Sequence, residues 1–101
     1  MRDIIGEEVT TLQKEGKKVL VDLWAPWCGP CRTLIPRLEG LDTKYDNVEF
    51  VKVNVDEDQG FAQSLGIRSV PTVLIFNGDE EKARITGAQP ESSYTEILDN
   101  L

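Results

Sequence analysis

The chain has 101 residues, 40% of them hydrophobic and 29% charged, which is enough for one packed domain and too little for two. Its net charge of -7, from 18 acidic and 11 basic residues, argues against nucleic acid or an anionic membrane surface as a partner. No apolar run approaches the roughly 20 residues a membrane span needs, and the absence of histidine removes serine–histidine triads, histidine acid–base chemistry and most catalytic zinc sites.

The opening stretch Met1-Arg2-Asp3-Ile4-Ile5-Gly6-Glu7-Glu8 turns acidic before an apolar block can form, so no secretory signal is expected. Residues 4–15 read as a short helix with Ile5, Val9 and Leu12 on one face, Asp3 as N-cap and Gly16 as stop. Lys18–Trp24 is apolar on both faces, the pattern of a buried central strand, and Ala25-Pro26 breaks it. Residues 31–44 turn helical, with Leu34, Ile35, Leu38 and Leu41 in one stripe; Pro36 removes an amide there and predicts a kink. Val48–Asn54 reads as a second strand, followed by Asp56-Glu57-Asp58 as a solvated acidic turn or helix start. A short helix over 60–65, stopped by Gly66, leads to a third strand over 72–76. Asn77-Gly78 signals a turn, and 82–86 can return as an antiparallel edge strand. Pro90 opens a last helix with Tyr94, Ile97, Leu98 and Leu101 on one side. The expected order is αβαβαββα: a single α/β domain over residues 1–101, with helices on both faces of a mixed sheet.

The two cysteines, Cys28 and Cys31, fall between the first strand and the second helix, in Trp27-Cys28-Gly29-Pro30-Cys31. One pair is no framework for a secreted mini-domain, and a bridge over two intervening residues closes too short a loop to stabilise the fold much. A zinc half-site is one alternative, but no third cysteine or histidine is available to complete it. Inert structural cysteines are another, but Gly29 and Pro30 between them serve no packing purpose. Redox use has a direct physical logic. The first turn of a helix presents unpaired N–H groups and partial positive charge, which favour a thiolate, the species that attacks a disulfide. A second cysteine one helical turn away can reach the first sulfur and resolve the mixed disulfide. Pro30 is tolerated in a first turn, and Arg32 adds positive charge beside the site.

The segment from Val19 through Asp22, Trp24, Ala25 and Pro26 to Cys31 resembles the active-site segment of the thioredoxin family. The resemblance continues in order through Lys52-Val53-Asn54-Val55-Asp56, Gly66-Ile67-Arg68-Ser69-Val70-Pro71-Thr72, Phe76-Asn77-Gly78 and Gly87-Ala88. It implies a thioredoxin fold, with a central mixed sheet of four strands flanked by four helices. Only Met1-Arg2-Asp3 precede the first helix, where the family carries a strand, so a fifth strand would be a stub at Asp3-Ile4-Ile5. The resemblance also implies the roles. Cys28 would be the exposed attacking thiolate and Cys31 the buried resolving thiol. Asp22 would be a buried carboxylate passing protons to and from Cys31, with Lys52 beside it. Trp27, Gly29, Pro30, Val70, Pro71 and Gly87 would form the surface that binds a substrate's extended chain, partly through main-chain bonds at Val70. Val70-Pro71 would be cis. Trp24 is read as structural.

The implied activity is thiol–disulfide exchange that reduces protein disulfides. A separate thioredoxin reductase would recycle the pair, and neither a bound cofactor nor a metal is implied. The expected protein is a cytoplasmic monomer. Gly29-Pro30 and the absence of a signal favour a reductant over a disulfide oxidant or isomerase. A scaffold without redox work would usually have lost one cysteine, and this chain keeps both.

Overall fold

The computed structural model describes residues 1–101. In chain order the elements are β1 (Arg2–Asp3), α1 (Gly6–Lys14), β2 (Lys18–Trp24), α2 (Gly29–Asp42), β3 (Val48–Asn54), α3 (Gln59–Ser64), β4 (Thr72–Asn77), β5 (Glu80–Thr86) and α4 (Glu91–Leu98). They build one five-stranded sheet ordered β1-β3-β2-β4-β5. Strands β1, β3 and β2 run parallel, and β4 and β5 are antiparallel to their neighbours. The doubly apolar run forms β2 because this strand has partners on both edges and helices on both faces.

Alternation along the strands sorts the core into two halves. Val19, Val21 and Leu23 of β2 pack with Val9 of α1, Val51 and Val53 of β3, and the partly buried Phe61 of α3. Leu20 packs on the opposite face with Leu34, Leu38 and Leu41 of α2 and with Tyr94 and Leu98 of α4. Asp22, two positions after Leu20, therefore points toward the α2/α4 side, the side of the cysteine helix.

The N-terminus departs from expectation. A four-stranded sheet is incorrect, because Arg2 and Asp3 pair with Val51 and Lys52 as a fifth, parallel strand, and the Ile4 N–H donates to the Lys52 carbonyl at 2.9 Å. The open edge of β3 offers backbone partners that the first residues can satisfy while Ile4 enters the core. Asp3 is consequently in a strand and does not cap α1. Ile5 is the N-cap, makes no side-chain cap bond, and is 48% exposed, not on the buried face. The cap comes from far along the chain: Asp58 Oδ2 accepts the Gly6 N–H at 2.7 Å. Oδ1 of the same carboxylate accepts the Phe61 N–H at 3.3 Å, capping α3. Of the two readings, helix start holds for Asp58, which in addition clasps α1 to α3. Gly6 permits the close approach, because a Cβ there would overlap the Phe61 ring.

Other boundaries move as well. Helix α2 begins at Gly29, taking in the motif itself. The hairpin turns at Gly78-Asp79, between the paired Asn77 and Glu80, and β5 starts at Glu80. Gly78 adopts φ 59°, a left-handed conformation suited to glycine, and its N–H donates to the Lys17 carbonyl at 2.8 Å. A register shift at Ile75/Phe76 leaves Lys82 as the extra residue on β5.

Removing the Asp58 carboxylate uncaps α1 and α3 together. Asp58→Ala is expected to cost about 1–3 kcal/mol in urea unfolding, more than the loss of a single N-cap.

Candidate active site

Strand β2 ends at Trp24, and the turn Ala25-Pro26-Trp27 carries the chain to Cys28, whose N–H donates to the Ala25 carbonyl at 3.1 Å. Cys28 is the N-cap of α2: its backbone is extended and its Sγ accepts the Cys31 N–H at 3.2 Å. Gly29 and Pro30 form the first turn, and Cys31 follows one turn into the helix. The two cysteines are joined as a disulfide, with Cα atoms 5.3 Å apart. In this oxidised form both are buried, Cys28 at 4% exposure and Cys31 at 1%. Cys28, expected to be exposed as the attacking thiolate, is not openly exposed here, because Ala25, Val55 and Val70 pack around the pair.

The expected binding residues gather beside it. Val70-Pro71 is cis, Val70 packs against the cysteine cluster, and the Pro71 carbonyl accepts the Gly87 N–H at 2.9 Å. Gly87 takes φ 81°, which a residue with a Cβ rarely adopts. Trp27 is 69% exposed, while its indole N–H donates to Asp56 Oδ2 at 3.0 Å. Asp56, read from sequence as part of a solvated turn, instead fixes that ring. The two are 29 residues apart, so no local pattern could signal the bond. Trp27, Val55, Ile67, Arg68 and Val70 help line a groove of about 240 Å³. Arg32 bends back to donate to the Pro26 carbonyl at 3.1 Å, bracing the turn before the cysteines.

Asp22 lies on the central strand with no exposure, and neither carboxylate oxygen has a hydrogen-bond partner. Its register partners are Lys52 on β3 and Val73 on β4. Lys52 does not form an ion pair with it; the ammonium instead lies over the Trp24 ring, 5.1 Å from the centroid. Burial drives the Asp22 pKa up from 3.8 to about 7, and the charge of Lys52 holds back part of that rise. Lys52 thus acts on Asp22 through space, and Trp24 holds Lys52 in position. The cysteine pair is the only cysteine chemistry in the chain, and no group of three metal-ligating side chains accompanies it.

The family model described as Thioredoxin matches residues 7–100. A chloroplastic M-type thioredoxin of Zea mays is 48% identical over 82 residues, covering 80% of this chain and 49% of that protein. Thioredoxin 1 of Nostoc sp. is 43% identical over 82 residues, covering 80% of this chain and 77% of its own length. The chain therefore spans about half of the maize relative and most of the cyanobacterial one. Among solved structures, Fasciola hepatica thioredoxin superposes with a TM-score of 0.86 at 32% identity, over 99% of this chain and 98% of that one.

The raised pKa couples Asp22 to stability. The folded state holds the proton more tightly than the unfolded state does, so this contribution is fully present below about pH 3.8 and is lost as pH rises through about 7. Asp22→Asn keeps the shape and removes the charge. It is expected to leave acid stability nearly unchanged and to raise stability above neutral pH by about 1–3 kcal/mol. Denaturant titrations of both proteins at acidic and alkaline pH check this; a mutant less stable than wild type in alkali would contradict it.

Proposed function

The chain belongs to the thioredoxin family, and on that premise we propose that it is a protein-disulfide reductase working by dithiol–disulfide exchange at Cys28 and Cys31. The observation that carries this reading is the cysteine pair at the start of α2, with Cys28 capping the helix and Asp22 buried and unpartnered on the adjoining strand.

In the reduced protein, a Cys28 thiolate gains from the Cys31 N–H and from the N-terminal dipole of α2. It attacks one sulfur of the substrate disulfide, and the other sulfur leaves as a thiolate that takes a proton from water. Asp22 accepts the proton of the Cys31 thiol. A carboxyl with a pKa of about 7 is suited to this, because both its forms are populated near neutrality. The Cys31 thiolate then attacks Cys28 Sγ, forming the intramolecular disulfide seen in this structure and releasing the second substrate sulfur as a thiolate that takes a proton from water. Two electrons pass from the dithiol to the substrate, and a thioredoxin reductase returns two electrons to the pair.

Trp27, Gly29, Pro30, Val70, Pro71 and Gly87 form the proposed substrate surface. A substrate strand would bond to the main chain at Val70 and rest against the indole. Apart from Ile5 and Trp27, no large hydrophobic side chain is openly exposed, which supports a monomer. No helix is long and apolar enough to cross a membrane. A reductant works where thiols are kept reduced, which favours the cytoplasm, whereas the maize relative is named as chloroplastic.

Reduction of a protein disulfide such as insulin, with dithiothreitol as donor, tests the reading. Cys28→Ser is expected to abolish it. Cys31→Ser is expected to accumulate a covalent mixed disulfide through Cys28, visible as a mass adduct that dithiothreitol removes. An adduct trapped through Cys31 in the Cys28→Ser protein would reverse the two roles. The potential of the pair, equilibrated against glutathione, should lie below that of disulfide oxidants and isomerases; a higher value would make the protein an oxidant.

A further inference from the structure

The loop from Gly87 to Gln89 reaches the disulfide through a short chain of contacts: Gly87 bonds to the Pro71 carbonyl, and neighbouring Val70 packs on the cysteines. Behind the loop, the opposite side chains come from two helices. Tyr94 of α4 is fully buried, so its hydroxyl must find partners within the protein. It accepts the Gln89 N–H at 3.2 Å and faces the Gly87 carbonyl, to which it donates, at 3.5 Å. Arg37 of α2 donates to the Gln89 carbonyl. The Gln89 side chain closes the loop on itself by donating to the Thr86 carbonyl at 2.9 Å. Ala88 packs into the core beneath. Both main-chain groups of Gln89 are thus held by side chains set back from the redox pair, Tyr94 on α4 and Arg37 six residues beyond Cys31 on α2.

We propose that Tyr94 and Arg37 are positioning residues for substrate binding: together they clamp the Gly87-Ala88-Gln89 loop in the conformation that a substrate strand meets beside Val70. On the reductase reading above, the clamp would act on recognition and not on chemistry. Neither residue contacts a sulfur, whereas the loop joins the Val70-Pro71 segment through the Gly87 N–H. Without the clamp the loop would sample other conformations, and a protein substrate would have to select the competent one. Its apparent affinity falls by that fraction while the bound complex turns over as before. A small disulfide that reaches the sulfurs without lying along the loop is indifferent to the change.

Tyr94→Phe removes only the hydroxyl, and Arg37→Met keeps the side-chain stem at a partly buried position, giving two variants on separate helices. The readouts are KM and kcat for insulin with dithiothreitol as donor, the rate of the reduced proteins with a small aromatic disulfide, and amide hydrogen exchange at Gln89. Each variant is expected to raise KM for insulin by about three- to tenfold with kcat unchanged. The rate with the small disulfide should not move, and Gln89 exchange should speed up in Tyr94→Phe. An unchanged KM, or equal losses on both substrates, would overturn the proposal. Wild-type protein inactive on insulin would instead sink the reductase reading. The clamp would then stand or fall on exchange alone, upheld by faster exchange at Gln89 in Tyr94→Phe and refuted by unchanged protection.

Discussion

The constraint on which this molecule depends is the burial of β2 on both edges and both faces. β2 is paired along its length to β3 and nearly so to β4, and its side chains alternate into the two halves of the core. A strand held this firmly fixes where its C-terminal end stops. That end delivers the turn that makes Cys28 the cap of α2, so the rigidity of the sheet becomes the positioning of a sulfur. The same burial encloses Asp22. A carboxylate at this depth is costly, and its cost is the source of its raised pKa.

The electrostatics around Asp22 are arranged for partial compensation. An ion pair with Lys52 would hold the carboxylate charged and unable to release or take up a proton near neutrality. Lys52 sits on the neighbouring strand in register with Asp22, yet its ammonium is drawn over the Trp24 ring. The carboxyl is left with a long-range attraction that moderates its pKa without pinning it. A residue read from sequence as structural, Trp24, therefore has an electrostatic consequence for the proton chemistry proposed at the next layer.

The legible parts of the sequence were those whose cause is local. Lys18–Trp24 and Val48–Asn54 carry their assignment in an unbroken apolar run or alternation with clear breakers, and both boundaries match the structure. The cysteine pair could be read from its spacing, whereas Asp22, a charge among apolar neighbours, gained its reading from the resemblance of the whole segment to the family. What could not be read depends on partners far along the chain. β1 is too short to have a pattern and exists because the edge of β3 accepts it. Asp58 was legible only as part of an acidic turn or helix start, and its second bond, to Gly6, spans 52 residues. Tyr94 was visible as a member of an apolar stripe, and the stripe concealed that its hydroxyl has work at the loop. The hairpin moved by one residue because Gly78 takes the left-handed position and Lys82 is bulged out, details that a dipeptide signal does not specify.

The two outer margins of the sheet carry a further implication. β1 covers only Val51 and Lys52 of β3 and is too short to template another strand. β5, on the far side, is bulged and lined by Glu80, Glu81, Lys82 and Arg84, with ion pairs at 3.1 Å between Lys82 and Glu80 and at 2.9 Å between Arg84 and Glu81. Short, charged and irregular margins discourage edge-to-edge association. An extended chain that approaches either margin finds no regular edge on which to add a strand. Such a chain is denied the ends of the sheet as a seed for polymeric β-structure, which leaves the loops beside the sulfurs, the proposed substrate surface, as the place where a foreign backbone would dock and then depart.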